Sequence, residues 1–94
     1  MKTENARQIV ALAQTHGAMM MGTQIPGNLC GPYNSKVRQQ VMLLATGQKL
    51  PVAKCGVYAL EAALQAALNV PQGGCLAHTR DNINSTLRAL AGAV

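Results

Sequence analysis

Pro51-Val52-Ala53-Lys54-Cys55-Gly56-Val57-Tyr58-Ala59-Leu60-Glu61-Ala62-Ala63-Leu64-Gln65-Ala66-Ala67-Leu68-Asn69 is the stretch that decides the fold. Its polar residues Lys54, Tyr58, Glu61, Gln65 and Asn69 recur every three or four positions, so on a helix they form one narrow stripe. After Pro51, every other position is Val, Ala, Leu, Cys or Gly. A helix apolar on nearly three sides is one that several neighbours bury. We therefore expect a mostly buried helix over 51–68 at the centre of an all-α domain. Pro51 suits the first turn, where its missing N–H costs nothing. Asn69, Val70 and Pro71 end the helix. Gly56 inside a helix costs about 1 kcal/mol relative to Ala; a close helix crossing or a later helix start would account for it.

Three further helices surround this one in the sequence. Over 3–16, Ala6, Ile9, Val10, Ala13 and His16 fall at helical spacing, with Glu4, Arg7, Gln8, Ala11 and Gln14 opposite. Gly17 can stop that helix. Residues 22–34 carry Gly22, Pro26, Gly27, Asn28, Gly31, Pro32 and Asn34, a density of turn formers that predicts a long loop. Asn34 or Ser35 then caps a helix over 35–46, with Gly47 behind it. Val37, Val41, Leu44 and Ala45 should face inward, and Lys36, Arg38, Gln39 and Gln40 outward. A last helix over 79–91 takes Thr79 as its cap and Asp81 in its first turn. Ile83, Leu87 and Leu90 make its apolar seam, and Arg80, Asn84 and Arg88 its polar stripe. The expected architecture is a single compact domain, 1–94, of about four helices. No alternating strand pattern competes with it.

Composition bounds the function. Hydrophobic residues make up 49% of the 94, enough for a core, yet there is no Trp or Phe and only Tyr33 and Tyr58 are aromatic. An Ala-rich core gains little per residue, since burial is worth about 25 cal/mol per Å² of apolar surface. Such a domain gains from a second chain, either a copy of itself as a homodimer or a larger partner. Net charge is +5, and no Asp or Glu occurs between Glu4 and Glu61. That interval holds Arg7, Lys36, Arg38, Lys49 and Lys54, a positive region that favours an anionic partner, although the same charge also serves solubility. The three cysteines, an odd number, do not form a disulfide framework. No secretory apolar region and no membrane-length apolar run is present, which points to the cytoplasm and to no membrane partner.

Four constellations bear on chemistry. Cys75-Leu76-Ala77-His78 has a zinc-ligand spacing, and Cys30 and Cys55 could complete a Cys₃His site. The plainer reading is that these thiols are isolated and no metal or other cofactor is held. Catalysis fares poorly. Only Glu4, Glu61 and Asp81 are acidic, and no phosphate loop matches, so we expect no enzyme. A helix-turn-helix across 47–50 fails because the helix after it has no polar face for a groove. A looser basic surface of Lys36, Arg38, Lys49, Lys54, Arg80 and Arg88 could still contact nucleic-acid phosphates. Finally, Met19-Met20-Met21 and the loop residues Ile25, Leu29 and Tyr33 offer a partner-binding surface, because methionines adapt to irregular partners. The same methionines could instead fill gaps in a core short of aromatics. The profile suits a small regulator or inhibitor that binds a larger protein complex, phage- or plasmid-borne accessory proteins included. The alternative is a basic regulator that touches nucleic acid.

Overall fold

Ala6, Ile9, Val10 and Ala13 are buried together, so the first helix puts its apolar face on one side as its spacing requires. This helix, α1, spans Thr3–Thr15 in a computed structural model that describes residues 1–15, 35–72 and 74–92. It is followed by α2 (Ser35–Thr46), a short 3₁₀ turn (Val52–Lys54), α3 (Val57–Ala67) and α4 (Leu76–Ala91). Among the described residues there is no strand. The chain is thus an all-α bundle. No helix among them is long and apolar enough to cross a membrane. The Pro/Gly loop expected at 22–34, and His16, lie outside the described residues.

One core joins the helices. Ile9 of α1, Val41 of α2, Leu60 and Leu64 of α3, and Ile83 and Leu87 of α4 are its largest fully buried aliphatic side chains, with Cys55 from the segment before α3. Helix α1 packs chiefly on α4 and α2 chiefly on α3; α1 against α2 links the two pairs, and α3 meets α4 over a smaller contact.

The expectation of a mostly buried third helix at the centre is corrected here. Within α3 only Leu60, Glu61 and Leu64 are buried. Ala59, Ala62 and Ala66 are exposed, and Tyr58 is 75% exposed. Alanine is the best helix former, and leaving its single methyl in water costs little. A run of alanines therefore signals helix formation more than burial. The boundaries shift too. Pro51 precedes a separate 3₁₀ turn, and Gly56 in extended backbone is the cap before Val57, so the later start explains that glycine. Helix α4 starts one turn earlier than expected, behind Cys75. Thr79 is no cap: its hydroxyl donates back to the Cys75 carbonyl oxygen at 3.2 Å, and Asp81 falls beyond the first turn.

Three helix ends converge on the start of α1. Carbonyls in the last turn of a helix lack intrahelical partners and must find donors elsewhere. The Met1 amino nitrogen donates to Ala67 O at the end of α3 (3.1 Å). The Asn5 side-chain amide donates to Leu44 O near the end of α2 (3.1 Å). Arg7 Nε donates to Ala91 O, the last residue of α4 (3.2 Å). Positive groups also sit well against the negative ends of helix dipoles. Gly47 and Gly92, at φ +75° and +73°, take the left-handed turn that closes α2 and α4, a conformation that side chains with a Cβ disfavour.

Candidate partner-binding face

On α2 the apolar positions run Val37, Val41 and Met42, and Arg38 lies in the middle of that stripe rather than beside it. Arg38 is buried, at 9% exposure, and its Nε donates to Cys55 O at 2.9 Å. One residue further on, Gln39 Nε2 donates to Leu50 O at 2.8 Å. Two adjacent side chains of α2 thus clamp the segment between α2 and α3 along the helix. Hydrogen bonds from a buried guanidinium to a carbonyl are among the stronger kind, about 1.5–3 kcal/mol. The clamp fixes where Lys49 stands. Lys36 and Lys49 line one open cleft with Gln39, Gln40 and Leu43, of about 320 Å³. Lys54 is exposed at the end of the 3₁₀ turn, which itself packs on α2. Leu43 and Val52 leave apolar surface exposed on these same two elements, at 40% and 41%.

The six cations expected to form a basic surface therefore separate. Lys36 and Lys49 come together, with Lys54 on the neighbouring turn. Arg38 is corrected to a core residue. Arg80 is also drawn inward: its Nε lies 2.8 Å from Glu61 Oε2 in an ion pair between α3 and α4. That pairing is why Glu61, expected on the wet stripe of α3, is buried. Asn84, on the same expected polar stripe of α4 as Arg80, is buried as well. Arg88 stays exposed in the last turn of α4, where a cation suits the helix dipole.

Among the described residues the zinc candidates do not come together. Cys55 is fully buried with its thiol donating to Pro51 O (3.4 Å), whereas Cys75 and His78 are exposed at the start of α4. No three metal-ligating side chains group among the described residues. Cys30 and the partner-binding candidates Met19, Met20, Met21, Ile25, Leu29 and Tyr33 lie outside the described residues.

A second open cleft, of about 250 Å³, runs between α1 and α2 and is lined by Gln8, Ala11, Leu12, Thr15 and Gln40. Both clefts sit at or below the low end of small-molecule pockets, about 300–1,000 Å³, and both are open. That shape fits a surface that docks a chain better than one that encloses a substrate. The glutamines and the second cleft were missed in the sequence because only the tertiary pairing of α1 with α2 brings Gln8, Leu12 and Gln40 together. Arg38 could have been found: it falls at helical spacing inside the stripe of Val37, Val41 and Met42.

No protein family, curated protein or solved structure matches this chain, so the functional reading rests on its own residues.

Proposed function

We propose that this chain is a non-enzymatic binding protein that docks on a larger protein and modulates it through the Lys36–Lys49 face of α2. The observation that carries this reading is the cleft that Lys36 and Lys49 line without any acidic residue, beside the exposed Leu43. Protein interfaces combine an apolar centre with a polar rim, and this face supplies both. A nucleic-acid reading has less support. Arg38 is buried and Arg80 is paired with Glu61, and neutralising only a few phosphates gives weak, salt-sensitive binding.

The test is capture from nuclease-treated host lysate by the immobilised chain, compared with a Lys36→Glu/Lys49→Glu variant. Both lysines are exposed, so the variant should keep the wild-type circular dichroism and melting curve. The expected result is a discrete protein partner retained by the wild type and reduced about tenfold or more by the charge reversal, which corresponds to about 1.4 kcal/mol. Equal capture by the variant, or retention of nucleic acid alone before nuclease treatment, would contradict the proposal.

A further inference from the structure

Gln40 lines both clefts, so the two adjoin along α2, one at the α1–α2 junction and the other at Lys36 and Lys49. Its two ends differ in chemistry. One is uncharged, with Ala11, Leu12 and Thr15; the other holds the two lysines. Resting on the binding reading above, we infer that the two clefts form one composite groove for an acidic segment of a partner protein. The segment's carboxylates meet Lys36 and Lys49, and an apolar side chain lies against Ala11 and Leu12. Gln8 and Gln40 offer amides to its backbone. Gln8 Nε2 donates to Glu4 Oε1 at 3.5 Å beside the uncharged end, and the lining around the two lysines includes no acid.

Charge complementarity selects this occupant. A second copy of the chain brings a net charge of +5, and its exposed acids among the described residues are Glu4 and Asp81 alone. Like charges across a contact cost free energy, so self-docking is disfavoured at the lysines. Nucleic acid would satisfy the lysines, but among the described residues lining the cleft at Ala11 and Leu12 there is neither a cation nor an aromatic platform.

The probe is a fluorescent peptide of glutamate and leucine, compared with the same peptide carrying glutamine for every glutamate and with an oligothymidylate, read by anisotropy. Ala11→Glu is the variant that addresses the uncharged end. Ala11 is exposed on a helix, so its fold is checked by circular dichroism. The glutamate–leucine peptide should bind, with the glutamine version and the oligonucleotide about tenfold weaker. Ala11→Glu and Lys36→Glu/Lys49→Glu should each weaken binding about tenfold. Absence of peptide binding, indifference to Ala11→Glu, equal binding of the glutamine peptide, or tighter binding of the oligonucleotide would each overturn the composite groove. So would self-association that Ala11→Glu abolishes. Loss of lysate capture in the lysine variant without peptide binding leaves the binding function standing and removes the groove. Peptide binding without any captured protein does the reverse.

Discussion

Leu64→Asp is expected to leave no folded protein at 25 °C. Leu64 is fully buried in α3, beside Leu60 in the core that all four helices share. The substitution removes an aliphatic side chain, which alone costs about 2–5 kcal/mol when replaced by Ala. It also puts a carboxylate where the surrounding core side chains are apolar. An unpaired buried charge costs several kcal/mol more, or takes up a proton at a comparable cost. Small domains are stable by only about 5–15 kcal/mol in total. Leu64→Ala should therefore melt lower yet still fold, while Leu64→Asp should lose its helical signal. A cooperative melting transition and native helicity in Leu64→Asp would show that α3 does not anchor this core.

The second large effect belongs to the ion pair between α3 and α4. Arg80→Ala leaves Glu61 without its 2.8 Å partner, and the Glu61 side chain is only 9% exposed. Arg80 is itself 23% exposed, so the pair is part-buried and the loss is about 1–3 kcal/mol, the cost of a buried acceptor left without its donor. For a chain of this size that is a fall in melting temperature of roughly 5–20 °C. Replacing both residues at once, as Glu61→Leu/Arg80→Leu, removes the stranded charge. It should recover most of the loss, since apolar pairs often substitute for buried ion pairs without penalty. Chemical denaturation of the two variants checks both statements. Equal destabilisation by the single and double variants would mean that the pair acts through packing rather than through charge.

These two sites also show what was legible in the sequence. Leu64 was readable: aliphatic residues at helical spacing inside an apolar run are buried in most folds, and Ile9, Leu60, Ile83 and Leu87 followed the same rule. Glu61 and Arg80 were not. Each lies on a polar stripe of its own helix, and only the approach of α3 to α4 turns two polar residues into a part-buried pair. Arg7 and Asn5 belong to the same class, because their partners Ala91 and Leu44 are carbonyls distant in sequence. Alanine misled in the opposite direction. Ala59, Ala62 and Ala66 counted as apolar and suggested a central helix, yet a single methyl group carries too little area to demand burial. At the candidate site, Lys36 and Lys49 were legible as cations without nearby acids. Their sharing of a cleft was not, because it depends on Arg38 and Gln39 holding the segment at 50–55 along α2.

On the proposed function, the partner lies along α2, across Gln40. A photo-crosslinking amino acid in place of Gln40, and a second in place of Tyr58 on the exposed face of α3, test it most directly when each protein is irradiated in host lysate. The expected result is a discrete protein adduct from position 40 that disappears with Lys36→Glu/Lys49→Glu, and none from position 58. Adducts from position 58 with none from position 40, or adducts to nucleic acid from position 40, would contradict it.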